Sequence, residues 1–530
     1  MPTTVRTVTL DLLRSLGLTT VFGNPGSTEL GFLHDWPEDF RYVLGLNEAS
    51  VVAMADGYAQ ARNDAAFINL HSAAGVGHAS ASIYTAFRNQ TPLVITAGQQ
   101  ARSLLPLRPF LGSVDAPQLP KPYVKWSTEP PRPEDVPVAI AQAYTIAMQR
   151  PCGPTFVSVP ADDWHAAASP VTLQPKSRAF GPDSEMLRDF AERLNASRNP
   201  AIVAGAGIAR EGAIDLAVEL AELLGAAVWA APLWSRTGFP EDHPNFSGFL
   251  PAAPGPIHHH LKAHDAVLVL GAPAFTLHVP GDLTPIRADL SVLHITDDAD
   301  SAAATVTGRS LLSSIRPALQ ALKPLLKQAD RGKPAARKLP ARVAPSTPIN
   351  AAFVMQSIAE LRPSGGVIVE EAPSHKVAIQ NFLPVRRDED FYSIASGALG
   401  WGLPASVGVA LANPKRRVIA VIGDGSMMYS IQALWSAAQL GLPLAIVVTN
   451  NGGYGAMRAF SQSTRNAPPP GIDLPGLDFI ALAAGHGVQG VRVTAADQLA
   501  PALTEAFAAD RPRLVEVIVD RAVQKLYTLD

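Results

Sequence analysis

Val418-Ile419-Ala420-Val421-Ile422-Gly423-Asp424-Gly425-Ser426 and Pro443-Leu444-Ala445-Ile446-Val447-Val448, the second leading into Asn450-Asn451-Gly452-Gly453-Tyr454, decide the fold. Each is a short apolar run that ends abruptly in small and polar residues, and the stretch between them is amphipathic. A strand apolar on both faces needs cover on both sides, which a crossover helix supplies. The pattern is therefore strand, helix, parallel strand, with both strands ending at one edge of the sheet.

Ligands of open parallel sheets bind beyond the strand ends, so Asp424 and Asn451 face each other across a candidate site. A magnesium ion holding a diphosphate takes about six oxygens, few of them from protein. Asp424 offers a carboxylate, Asn451 an amide oxygen and Gly453 a backbone carbonyl, while Gly425 lets the backbone approach phosphate and the helix opening near Ser426 presents free N–H groups. Gly-Asp-Gly alone is more often a plain strand-to-helix turn. The Asn-Asn-Gly on the next strand makes the pair specific.

The same alternation runs outward through the chain, for example in Ala66-Phe67-Ile68-Asn69-Leu70 and Ala266-Val267-Leu268-Val269-Leu270. With 530 residues the chain is too long for one core. The stretch 166–183, which loses apolar periodicity, and 331–348, rich in Lys, Arg, Ala and Pro, divide it into segments 1–170, 183–330 and 348–530. The expected fold is α/β, three doubly wound parallel-sheet domains. The outer segments resemble each other: aligning Pro92 with Pro443 sets His71 opposite Ile422, as though one unit were used twice.

The bulk numbers exclude other classes. A composition 47% hydrophobic and 17% charged supports large cores, and a net charge of −3 gives no field to attract nucleic acid. The only cysteine, Cys152, can form no internal disulfide; the start Met1-Pro2-Thr3-Thr4 lacks a signal-peptide pattern, and no apolar run is long enough for a membrane span. A soluble cytoplasmic enzyme acting on a small molecule, with no nucleic acid or membrane partner, is expected.

Val21-Phe22-Gly23-Asn24-Pro25-Gly26-Ser27, Asn47-Glu48-Ala49, Asp56-Gly57-Tyr58-Ala59, Phe67 through Gly75, Val124-Lys125-Trp126-Ser127, Gly271-Ala272-Pro273 and the Gly-Asp-Gly and Asn-Asn-Gly pair together resemble thiamine-diphosphate-dependent decarboxylases, in the benzoylformate decarboxylase branch. The resemblance covers essentially the whole chain. It implies pyrimidine-binding, central and diphosphate-binding domains in that order, a Mg2+ (or Ca2+) ion on Asp424, Asn451 and Gly453, and cofactor contacts from Pro373, Gly397, Leu399, Gly425, Ser426 and Tyr454. Glu371 and Ala372 fall on the loop near the pyrimidine. Glu48 becomes the acid that activates the aminopyrimidine, His71 and His278 proton carriers, and Ser27 the hydroxyl for the substrate carboxylate. Phe110, Leu111, Met457 and Phe460 match positions that line the substrate side chain, so the implied reaction is decarboxylation of a 2-oxo acid with a bulky apolar, aryl group, such as benzoylformate to benzaldehyde. A homotetramer with sites between subunits is implied too.

Each residue also has a plainer reading: Asn47 and Glu48 at a helix start, Ser27 as a helix cap, His71 as a buried strand-end histidine, and the apolar four as core. Three residues depart from the branch pattern: Ser393 stands for a phenylalanine, Pro373 for a threonine and His78 for a small amide. His258-His259-His260 could not converge on one metal from a helix, where neighbours point about 100° apart. Ala204-Gly205-Ala206-Gly207 lacks the full dinucleotide spacing, and no FAD is expected. The alternatives are an acetolactate-synthase-like carboligase and a non-catalytic cofactor-binding regulator.

Overall fold

The computed structural model describes residues 3–305, 307–329, 332–463, 467–522 and 524–527. Met1 and Pro2, and the junction at Asp330 and Arg331 where the second connector begins, lie outside the described residues. Three six-stranded sheets form, every ladder parallel. The expected α/β class holds throughout.

The first sheet runs Arg41–Leu44, Thr20–Gly23, Ala66–Leu70, Leu93–Gln99, Pro154–Pro160, Trp126–Thr128. The third runs Asp390–Tyr392, Val367–Glu371, Val418–Gly423, Leu444–Asn450, Arg513–Ile518, Gln489–Val493. Counted along the chain, both have the order 2-1-3-4-6-5, so one topology is indeed used twice. The register differs by one residue from the proline alignment: Ala66 pairs with Leu93 as Val418 pairs with Leu444. His71 therefore matches Gly423, and both residues cap the helix that follows.

The middle sheet runs Phe246–Phe249, Ala227–Ala230, Pro200–Ala204, Ala266–Leu270, Val292–Thr296, Arg309–Leu312, the order 3-2-1-4-5-6. Its crevice lies between Pro200–Ala204 and Ala266–Leu270, where the winding reverses. There the glycines serve close approach: a Cβ on Gly205 would lie 2.5 Å from the Gly271 carbonyl oxygen, and one on Gly207 would lie 2.7 Å from the Gly271 Cα. In the helix Pro254–Leu261, His258 bonds Asp289 and His260 packs on Trp229, so the histidines serve different neighbours.

The outer domains meet through two helices, Glu48–Arg62 and Gly402–Ala412, whose faces are buried nearly all round. Their backbones almost touch. A Cβ on Gly57 would lie 2.2 Å from the Ala405 carbonyl oxygen, and one on Gly408 would lie 1.8 Å from that of Met54. Because residues 54 and 57 meet 408 and 405 in reverse order, the helices are antiparallel. The seam is stitched by the buried Asp56 carboxylate, which accepts hydrogen bonds from Thr91 (2.6 Å), Trp401 (2.7 Å), Gln60 (2.8 Å) and Asn89 (3.0 Å). Among the described residues no helix is long and apolar enough to cross a membrane.

Candidate active site

Strand Val418–Gly423 delivers Asp424 to the sheet edge, where the short helix Asp424–Tyr429 begins. The carboxylate is buried and accepts the amides of Gly425 and Gly453, each at 2.8 Å. Burial raises its pKa, and those two amides pull it back down. Asn451 sits opposite, 4% exposed, with its Oδ1 sealed from solvent and without a hydrogen-bond donor. An unsatisfied buried amide oxygen costs about 1–3 kcal/mol, a cost that a bound cation removes.

Gly453 has φ +149, and a Cβ there would lie 2.1 Å from the Ile472 carbonyl oxygen; glycine alone fits. Tyr454 covers Gly425, where a Cβ would fall 2.5 Å from the ring. Among the described residues no group of three or more His, Cys, Asp or Glu side chains could hold a metal. One carboxylate, one amide oxygen and one carbonyl leave most of an octahedral shell to phosphate and water, which suits magnesium bound through a diphosphate.

Beside this cradle, Glu371 fixes the segment that contains Gly397 and Leu399. Its carboxylate takes the Gly400 amide at 2.6 Å and the Gly402 amide as well. Burial pushes its pKa up to about 7 against those bonds. Pro373 opens the 3-10 turn Pro373–His375, a first-turn position where its missing N–H costs nothing, and Ser374 Oγ accepts the Ala456 amide at 3.2 Å. Ser393 is buried and donates to Glu370 at 2.9 Å.

His278 comes from the middle domain and meets this half of the site. Its Nδ1 is 2.7 Å from the Tyr527 hydroxyl, and its ring lies edge-on to Phe460 with centroids 5.0 Å apart. Phe460 and Met457 share the helix Gly455–Ser463. Tyr527 carried no sequence signal, being an isolated aromatic in the C-terminal tail.

The first domain carries the other half. Glu48 is the first residue of the helix Glu48–Arg62, which Asn47 caps through the Ala49 amide at 2.9 Å. The plain capping reading of Asn47 thus holds and leaves the Glu48 carboxylate free for other work. Its Oε2 lies 3.0 Å from His78 Nδ1, and Gly75 leaves space by Oε1, where a Cβ would come within 3.3 Å.

His71 caps the helix Ser72–Asn89 without a side-chain cap bond. Its Nδ1 lies 2.8 Å from Glu29 Oε2. Glu29 is buried and accepts from the Gly26 and Gly98 amides, at 3.0 Å each, and from the Thr28 hydroxyl at 2.6 Å. Acting as acceptor throughout, Glu29 makes Nδ1 the donor and leaves His71 Nε2 outside this network. Sequence reasoning missed Glu29, whose only signal is an acid three residues after Gly26.

Gly26 passes over the His71 ring, where a Cβ would fall 2.0 Å from Nδ1. Gly26, and not Ser27, is the cap of the turn Ser27–Glu29, so the Ser27 hydroxyl is exposed and is not used as a cap. Leu111 is half-buried at φ +63, whereas Phe110 is 86% exposed. With Leu104, Leu107 and Val114 it forms an uncovered apolar patch.

Glu48 and the segment of Gly397 and Leu399 lie at opposite ends of the helix pair. Glu48 starts one helix of the antiparallel pair, and Gly397 and Leu399 precede the start of the other. At 1.5 Å per residue, Glu48 and Gly402 are separated by about 18 Å along the pair.

Sheet edges of matched topology, one carrying Asp424, Asn451 and Gly453 and the other Glu48, are those of a thiamine pyrophosphate enzyme. Models for the N-terminal TPP binding domain, the central domain and the C-terminal TPP binding domain of thiamine pyrophosphate enzymes match residues 3–119, 187–322 and 371–517, and the chain belongs to that family. Within it, the chain is 44% identical to benzoylformate decarboxylase of Pseudomonas aeruginosa over 97% of its own length and 98% of the relative's. It superposes on the crystal structure of benzoylformate decarboxylase from Polynucleobacter necessarius with TM-score 0.96 at 39% identity, covering 99% and 100% of the two chains. For the thiamine diphosphate-dependent 4-hydroxybenzoylformate decarboxylase of Rhodococcus jostii the values are 0.93 and 42%, covering 98% and 99%.

Proposed function

We propose that this thiamine-diphosphate enzyme decarboxylates an aryl 2-oxo acid such as benzoylformate, releasing carbon dioxide and the aldehyde, with Mg2+ as its metal. The sealed, donorless Asn451 Oδ1 beside Asp424 carries the reading. Asp424, Asn451 and the Gly453 carbonyl hold the ion, and Gly425, Ser426 and Tyr454 border the diphosphate. Pro373, Gly397 and Leu399 form the bed of the ring system. When bound, thiamine diphosphate supplies the nucleophilic carbon and the electron sink that decarboxylation needs.

The protein's part is positioning and proton management. Glu48 of a second copy of the chain holds a proton at the aminopyrimidine ring nitrogen. Ser27 orients the substrate carboxylate, and His71 and His278 present ring nitrogens for proton transfer to the carbon that becomes the aldehyde. Glu29 fixes His71, and Tyr527 fixes His278. Phe110, Leu111, Met457 and Phe460 enclose the aryl group once the exposed patch is covered.

The domains are taken as 1–170, 183–330 and 348–530, the assembly as a homotetramer with sites between subunits, and the compartment as the cytoplasm. The middle domain carries no flavin in this reading, because Gly205 and Gly207 are spent on contact with Gly271. The test is a panel of aryl, branched and straight 2-oxo acids assayed with thiamine diphosphate and Mg2+. Turnover of benzoylformate to benzaldehyde well above that of pyruvate is expected. Equal turnover of pyruvate to a ligated product would make the enzyme a carboligase instead.

A further inference from the structure

The Glu48 side chain is 13% exposed, and among the described residues a single donor reaches its carboxylate: His78, whose Nδ1 lies 3.0 Å from Oε2. The two residues belong to different helices, Glu48–Arg62 and Ser72–Asn89. His71, which caps the second helix, Gly75 and His78 are spaced four and three apart, so they share one face of it. That face runs along the Glu48 side chain. A Cβ on Gly75 would come within 3.3 Å of Oε1 and 3.4 Å of Cγ. Gly75 therefore keeps the Oε1 side clear, while His78 occupies Oε2.

The torsion that aims the two oxygens of a glutamate is the loosest in its side chain, because rotation about a bond to a planar carboxylate has broad minima. Packing between the helices sets the position of Cγ and leaves that rotation free. A hydrogen bond to one oxygen stops it. A carboxylate only accepts, so His78 Nδ1 carries the proton and donates, and Oε1 is left for a second partner. The His78 side chain is itself 64% exposed within one chain, so filling a core is not its task.

We propose that His78 is a positioning residue for the reaction: it holds Oε2 of Glu48 so that Oε1 meets the ring nitrogen of the aminopyrimidine. This rests on the reading of Glu48 as the activating acid. The role needs a donor at this distance from the backbone and does not need a ring. The side-chain nitrogen of asparagine stands as many bonds from the backbone as Nδ1 of histidine, so a small amide at residue 78 would supply the same donor.

Exchange of the thiazolium C2 proton with deuterium oxide tests this in the holoenzyme. Its rate, read by quenched-flow proton NMR with no substrate present and expressed per bound cofactor, reports the proton relay that Glu48 serves. The variants are His78→Leu, His78→Asn and, as reference, Glu48→Gln; leucine copies the shape of asparagine without its donor. His78→Leu should slow exchange about tenfold or more, because loose aim of a catalytic group costs rate steeply. His78→Asn should restore exchange to within about threefold of wild type, since its amide donates to the same oxygen. The dissociation constant of thiamine diphosphate should stay within about threefold in both, because the diphosphate contacts lie in the third domain.

Wild-type exchange in His78→Leu, with Glu48→Gln slowed about a hundredfold, overturns the proposal and leaves Glu48 as the acid. Equal slowing in the leucine and asparagine variants overturns it as well, because the ring and not the donor would then matter. Wild-type exchange in Glu48→Gln overturns the reading of Glu48, and this proposal with it.

Discussion

Chains carrying Glu48→Gln and chains carrying Asp424→Asn should each be nearly inactive alone yet regain activity when assembled together. The aminopyrimidine and thiazolium rings of the cofactor are joined by one methylene bridge, which cannot span the roughly 18 Å that the antiparallel helices put between Glu48 and Gly402 of one chain. On the proposed reading each site takes Glu48 from one chain and Asp424 from another. With equal, random assembly across a two-fold interface, half the sites receive an intact Glu48 and half of those an intact Asp424, so the mixture recovers about a quarter of wild-type turnover. Benzaldehyde formation per chain, measured on unselected co-expressed protein, reads this directly. A mixture that stays at the level of its parents would refute the reasoning, since sites closed within one chain gain nothing from mixing.

Four further outcomes follow from the same geometry. Glu48→Gln should lower turnover at least about a hundredfold with an unchanged melting temperature, because it removes the proton relay and leaves Asn47 to cap the helix; a loss below tenfold contradicts that role. Asn451→Ala removes the orphaned oxygen, so the apo-protein should be no less stable while the Mg2+ needed for half-maximal activity rises severalfold in a metal titration. Asp56→Ala strips four donors of their shared acceptor at the seam of the outer domains and should cost on the order of 3–5 kcal/mol, read as a lower urea midpoint. Glu371, with its pKa raised to about 7, holds its proton more tightly folded than unfolded, so its contribution to apo-protein stability is full below its ordinary pKa and is lost as pH rises toward 7. Glu371→Gln should abolish that component, on the order of 3 kcal/mol, in denaturation curves taken from pH 5 to 8; an unchanged slope would show the carboxyl ionised throughout.

What was legible in the sequence is what is local. Apolar runs ending in glycine gave the strands, and Asp424 and Asn451 could be set on one edge because adjacent parallel strands end together. The doubled topology was visible too, but for a one-residue difference between the two units, which moves His71 from Ile422 to Gly423. The partners that tune the site were not legible. Glu29 beside His71, His78 beside Glu48 and Tyr527 beside His278 are joined across 42, 30 and 249 residues, and no periodicity encodes such meetings.

The direction of the helix pair was equally hidden, and it decides most. Within its own domain each motif is finished: Asn47 caps its helix, Glu29 holds Nδ1 of His71, and Asp424 takes two amides. The remaining Asn451 Oδ1, the His71 Nε2 and the bare Phe110 patch cannot be completed by one another, because the antiparallel seam sets the two sheet edges apart. Burial of the seam fixes that separation, since Gly57 and Gly408 let the backbones close so far that the pair cannot slide to bring Glu48 nearer. On the proposed reading the acid comes from a second copy of the chain, so the mixed-variant experiment tests assembly and catalysis together.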